Sequence, residues 1–182
     1  MTQTKNDLIG ACGIYCGLCT RYQSRAKSRC IGCKVTEMHS WCSIWNCCVK
    51  KYGFETCAEC REYPCERYKR RLAKYPADLK TAQENLDELK ESGLDNWLKG
   101  QRERRLLVEN LLDNYNDGRS MSFYCKACVV LPVDVINNAI EEAREKFVSN
   151  KISDSDIKAK AKLVKSTIQD LALKSGIDLK SH

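Results

Sequence analysis

Cys12-Gly-Ile-Tyr-Cys16-Gly-Leu-Cys19 opens a stretch that continues with Cys30-Ile-Gly-Cys33, Cys42-Ser-Ile-Trp-Asn-Cys47-Cys48 and Cys57-Ala-Glu-Cys60-Arg-Glu-Tyr-Pro-Cys65. Eleven of the chain's 13 cysteines fall inside it. A Cys-x2-Cys pair sets two sulfurs on one tight turn, so two such pairs can close a tetrahedron around one metal ion. Three such pairs stand here, with His39 three residues before Cys42. The spacing points to bound metal and names no reaction.

The composition of this stretch agrees. It has few large aliphatic residues, and a segment of that size and polarity needs disulfides or metal to hold a fold. Disulfides require export. The leading Met-Thr-Gln-Thr-Lys-Asn-Asp offers no apolar signal core, and no hydrophobic run precedes Ile9-Gly10-Ala11-Cys12. No apolar stretch approaches the roughly 18 residues of a membrane span. The odd cysteine count fits poorly with a fully bridged framework. These features predict reduced thiols in the cytoplasm and no membrane partner.

The formal charge of +7 is unevenly placed: residues 1–75 carry +8 and residues 76–182 carry −1. Ligation deprotonates thiols, and a Zn²⁺ held by four thiolates carries about −2. Much of the basic surplus can therefore balance thiolates, and nucleic-acid binding gets no support from net charge.

The cleanest four-ligand set is Cys16, Cys19, Cys30 and Cys33. A second set joins Cys57 and Cys60 to Cys42 and Cys47. Cys12, His39, Cys48 and Cys65 stand as additional ligands. The expected cofactor is zinc, two ions. The alternative is an iron–sulfur cluster, since Cys12-x3-Cys16-x2-Cys19 has the spacing of the radical S-adenosylmethionine motif. Leu18 replaces the usual aromatic there, no βα barrel follows, and the ferredoxin cysteine run is absent.

Outside the cysteines the pattern turns helical. Residues 12–66 show no long 3.6-residue period, which predicts knuckles, short strands and one short helix, with Trp41, Trp45, Tyr52 and Phe54 as a small core. The charged run from Glu66 to Lys74 reads as the solvated face of a helix. Pro76 suits a first helical position, and Leu79, Ala82, Leu86 and Leu89 recur at helical spacing up to Gly93. A second helix runs from about Asp95 to Tyr115 with Trp97, Leu98, Leu107, Leu111 and Tyr115 inward. A short segment, 120–131, follows. Pro132 opens a third helix with Ile136, Ile140, Ala143 and Phe147 on one face. Ser153 with Asp156 reads as a capping box for a last helix whose stripe is Ile157, Val164, Ile168 and Leu171, ended by Gly176. The fold expected is α-dominated: a small metal-stabilised Cys-rich unit at 1–66, and an all-α bundle at 67–182 packed against it.

Cys125-Lys-Ala-Cys128 stands apart. It reads as two helix residues one turn apart, with a dithiol redox pair as the alternative. Arg102, Arg104 and Arg105 read as helical exposure. There is no P-loop, dinucleotide glycine signature, His-Glu-x-x-His, nucleophile elbow or nucleic-acid motif. The sequence favours a binding or adaptor module over an enzyme, its partner a macromolecule or small ligand. The alternatives are an iron–sulfur electron carrier and a protein that handles soft metal ions.

The cysteine stretches quoted above resemble an uncharacterised, cysteine-defined family of bacterial and archaeal proteins that carries a "domain of unknown function" label. The resemblance covers residues 12–66. It extends to 100–140 through Asn116-Asp117-Gly118-Arg119-Ser120-Met-Ser-Phe-Tyr-Cys125 and Leu131-Pro132. It implies zinc and brings no activity. Members often carry a further Cys near the position of His39, which implies a ligand exchange there.

Overall fold

The structure, a computed structural model, describes residues 8–35, 41–73 and 76–179, with the backbone alone for residues 72 and 76–80. Helices dominate: α1 (Thr20–Gln23), α2 (Ser43–Trp45), α3 (Glu66–Leu72), α4 (Pro76–Ser92), α5 (Leu94–Tyr115), α6 (Met121–Val130), α7 (Val133–Ser149) and α8 (Ile157–Lys174). The α-dominated expectation holds. The expected short strands do not. Among the described residues only an isolated antiparallel bridge joins Ile9 to Tyr15. Two of the three Cys-x2-Cys pairs form instead as single helical turns. Cys19 N–H donates to the Cys16 carbonyl at 2.9 Å, and Cys60 N–H to the Cys57 carbonyl at 3.1 Å. A Cys-x2-Cys spacing is three residues, which a 3-10 turn satisfies and a two-residue strand period does not.

The chain divides into two compact units, residues 1–102 and 103–182, with the boundary inside α5. In the first unit Ala11, Ile44, Cys48, Tyr68, Ala82 and Leu86 form the core. This corrects the sequence-based choice of aromatics. Trp41 is 65% exposed and Tyr52 50%, while Phe54 packs on the core from its edge. The core instead takes Tyr68 from the charged helix α3, and Ala82 and Leu86 from α4. The run 66–74 is thus not wholly a solvated face, because Tyr68 is buried beneath its Arg and Lys neighbours.

Gly13 sets how closely α4 approaches. Its φ is +94°, and a Cβ there would lie 2.3 Å from the Ala82 carbonyl oxygen and 2.7 Å from Leu86 Cγ. Asn85 Nδ2 donates to the Gly13 carbonyl at 2.8 Å, fixing the same turn from α4. Farther along, Trp97 meets Tyr15 edge-on at 5.6 Å and donates through Nε1 to Glu88 at 3.2 Å.

In the second unit α7 and α8 pack along their lengths. Ile136, Ala139, Ile140 and Ala143 are buried on α7, and Ala161, Val164, Ile168 and Ala172 on α8. The α8 stripe differs from the expected one: Ile157 is exposed and Ala161 and Ala172 take part. Positions 161, 164, 168 and 172 hold a tighter i, i+3, i+7 line, and their alanines allow close approach. Asp156, not Ser153, caps α8, its carboxylate accepting from Ala159 N at 3.0 Å. Ser153 is spent on its own turn with Ser155. At the far end Gly176 (φ +78°) follows α8. Ile177 N–H donates to the Ala172 carbonyl and Gly176 N–H to that of Leu173, the paired bonds of a Schellman stop.

Candidate metal centre

The turn from Ile9 to Tyr15 carries Cys12 at its tip, closed by Gly10 N–H on the Ile14 carbonyl at 2.8 Å. Cys33 Sγ and Cys12 Sγ lie 3.4 and 3.6 Å from one point, the position of a Cβ on Gly10. Gly10 therefore leaves room for two sulfurs. Cys16 donates its S–H to Cys33, which holds the Cys16 thiol well above its ordinary range and draws Cys33 down to about 7. The Ala11 backbone and the Lys34 ammonium also favour a Cys33 thiolate. Burial pushes Cys12 up to about 12, helped by Cys33 and Cys42 nearby, while a hydrogen bond to the Ile14 backbone opposes the rise. Cys30 adds a smaller repulsion to Cys16. Its N–H donates to the Arg21 carbonyl at 3.1 Å, which returns the chain beside α1.

A second group lines a cavity of about 30 Å³. Cys47, Cys48, Cys57, Cys60 and Cys65 contribute, walled by Ile44, Phe54 and Tyr68. Cys57 donates to Cys48, which raises Cys57 and lowers Cys48. Cys48 Sγ in turn lies 3.6 Å from the Phe54 carbonyl as donor. Local structure places these thiols: Cys47 and Cys48 on the π-helical turn Asn46–Lys51, Cys57 and Cys60 on the 3-10 turn, and Cys65 at the N-cap of α3. Cys42 caps α2 and packs against the core edge.

Cys16, Cys30 and Cys33 thus neighbour one another, Cys47, Cys48, Cys57, Cys60 and Cys65 line one cavity, and Cys12, which feels Cys33, Cys42 and Cys57, stands between the two groups. Cys19 lies on the backbone turn that starts α1. His39 lies outside the described residues. Among the described residues no group of three or more His, Cys, Asp or Glu side chains is set to hold a metal ion as it stands. Four of the thiols sit as hydrogen-bonded pairs, Cys16 with Cys33 and Cys57 with Cys48. The donor chemistry nevertheless suits a soft or borderline ion, being all sulfur in apolar surroundings.

Sequence reasoning missed the supports of this centre. Tyr68 OH donates to the Cys12 carbonyl at 2.9 Å, and Asn85 and Gly13 lock the same turn onto α4. Only the lone aromatic in a run of charges hinted at Tyr68. Cys125 and Cys128 are buried on α6, 3% and 0% exposed. Arg104 corrects another expectation. Its guanidinium is half-buried and donates to the carbonyls of Cys128 and Leu131 at 2.9 and 2.6 Å, capping the end of α6. The 116–120 motif is a structural turn: Asp117 accepts from Arg119 N at 3.0 Å and from Ser120 Oγ at 2.6 Å.

No helix among the described residues is long and apolar enough to cross a membrane. Residues 8–70 match a family model described as "Protein of unknown function (DUF3795)". No curated protein and no solved structure matches the chain.

Proposed function

We propose that the first unit is a zinc-stabilised binding module of the cytoplasm, and that its zinc, two ions, is structural. The observation that carries this is the nearness of eight thiols in two groups within one small unit, with Cys12 and Cys42 beside them. Half-buried thiols at that density, of which Cys48 alone is fully buried, contribute little packing. Bound to metal, they would contribute folding free energy directly. Cys16, Cys30 and Cys33 would serve one ion, with Cys19 or Cys12 as fourth ligand. Cys57 and Cys60 would serve the other, with Cys47 or Cys48 and Cys42 or Cys65. The paired thiols would lose their protons and turn about χ1 to converge, so binding would release protons.

Metal analysis and a visible spectrum of protein purified without oxygen test the reading. The expected result is near two zinc per chain and a colourless solution. Iron, acid-labile sulfide and a brown colour would replace it with a cluster-bearing electron carrier. Changing Cys16, Cys30 or Cys33 to Ser is expected to lower both metal content and melting temperature. Full metal in all three variants would refute the first site.

A second reading has one observation in its favour. Five thiols line one cavity, one more than a closed tetrahedral site uses. A spare thiolate there could accept and pass on a soft ion such as Cu(I). Exchange of bound zinc for Cu(I) without loss of fold would support it.

A further inference from the structure

Ala11 fastens a member of each thiol group to the turn that carries Cys12. Its N–H donates to the Cys33 sulfur, and its carbonyl accepts from Cys57 N–H at 2.9 Å. Cys12 is the next residue in the chain and has a neighbour in each group. The sulfurs of Cys33 and Cys12 flank the same point beside Gly10, at 3.4 and 3.6 Å. Cys42 also acts on Cys12, and Cys12 acts on Cys57 together with Cys48 and Cys65.

The backbone around Cys12 is built to present a thiolate. Ile14 N–H donates to the Cys12 sulfur across the tight turn that Gly13 makes at φ +94°. Tyr68 and Asn85 hold the carbonyls of Cys12 and Gly13 at 2.9 and 2.8 Å. Outer partners of this kind fix the direction of a metal-binding side chain.

We infer, on the structural-zinc reading, that Cys12 bridges the two zinc ions, so that the first unit holds one shared thiolate cluster and not two separate sites. Cys16, Cys30 and Cys33 serve one ion, and Cys12 completes its tetrahedron. Cys57 serves the other, joined by two thiols from Cys42, Cys47, Cys48, Cys60 and Cys65, and the same Cys12 sulfur completes that set. A thiolate sulfur has lone pairs for two ions at once. Sharing also lowers the charge to be enclosed. Two separate four-thiolate sites together carry about −4, whereas a pair sharing one thiolate carries about −3. The smaller charge costs less desolvation in a half-buried unit.

The test uses the full chain, purified without oxygen and exchanged into cadmium enriched in its magnetic isotope. Cadmium is a soft ion that suits the same sulfur ligands. Proton–cadmium correlation spectra are expected to show two cadmium resonances, both connected to the β-protons of Cys12. Each resonance should also be split by the other through the shared sulfur. Zinc affinity is then measured by chelator competition. Cys12→Ser is expected to weaken both ions, each by at least about tenfold. Cys19→Ser is expected to keep both. The wild-type spectrum decides even if Cys12→Ser does not fold.

Cys12 protons connected to one cadmium, or to neither while two are bound, overturn the bridge and leave the structural-zinc reading standing. Loss of an ion in Cys19→Ser also overturns it, because Cys16, Cys19, Cys30 and Cys33 would then close the first site without Cys12. A chain that binds a single ion, or none, overturns the bridge and the two-zinc reading together.

Discussion

The phenol of Tyr68 donates to the carbonyl of Cys12 across 56 residues of sequence, at 2.9 Å and with the ring 1% exposed. A helix of charged residues thereby holds the turn that carries a candidate ligand. Tyr68→Phe removes the donor and leaves that carbonyl unpaired in a largely dry site. The expected loss is about 1–2 kcal/mol in denaturant unfolding, with slope unchanged. Tyr68→Ala, which also opens a cavity under Tyr63, should lose about 3–5 kcal/mol. If Tyr68→Phe unfolds at the wild-type midpoint, the hydrogen bond does not hold the turn.

Two glycines should respond with opposite sign. At Gly13 a methyl group meets the Ala82 carbonyl at 2.3 Å and the backbone sits at φ +94°. Gly13→Ala should cost at least about 2 kcal/mol. At Gly100, inside α5, an added Cβ meets nothing within 4 Å. Gly100→Ala should stabilise by about 0.5–1 kcal/mol. Thermal melts of the two variants check the pair together, and equal shifts would contradict both arguments.

Arg104 is distinguished from Arg102 by what it touches. Arg104→Met keeps the aliphatic stem and frees the carbonyls of Cys128 and Leu131. A loss of about 1.5–3 kcal/mol is expected, because the lost bonds come from a charged donor. Arg102→Ala, on an exposed position, should stay within about 0.5 kcal/mol of wild type.

Burial raises the Cys128 thiol from 9.0 to about 12, with Cys125 adding to the rise and Arg104 opposing it. The folded chain therefore keeps this thiol neutral where the unfolded chain ionises it. The stability it contributes is complete below about pH 9 and declines as pH climbs toward 12. Unfolding midpoints measured from pH 7 to 10.5 should drop more steeply in wild type than in Cys128→Ala. Alkylation of both α6 cysteines at neutral pH should be slow. Fast labelling of Cys125, independent of pH, would instead make the pair a reactive dithiol.

The helical half was legible because its punctuation is local. Pro76, Gly93, Pro132 and Gly176 mark helix ends by backbone constraints that act within a few residues. The inward faces of α5 and α7 followed from periodicity, and Leu107, Leu111, Ile136 and Ile140 are all buried. The first unit was less legible because its core is assembled across the chain. Ile44, Tyr68 and Leu86 come from three separate helices, so no window of sequence contains their pattern. Trp41 and Tyr52 misled for the same reason: size suggested burial, yet the core takes Ala82 and Leu86 from α4 and leaves both rings exposed. The Cys16-x2-Cys19 and Cys57-x2-Cys60 spacings did identify turns, but which sulfurs meet depends on the segments between the pairs, where spacing carries no information.

The segment matched by the family model ends at residue 70, whereas Ala82, Asn85 and Leu86 complete the packing around Ala11, Gly13 and Tyr68. The shared cysteine segment is therefore not self-sufficient in this chain. Cut to its own limits, it would expose the apolar underside of its cysteine turns and depend on some other surface to cover it.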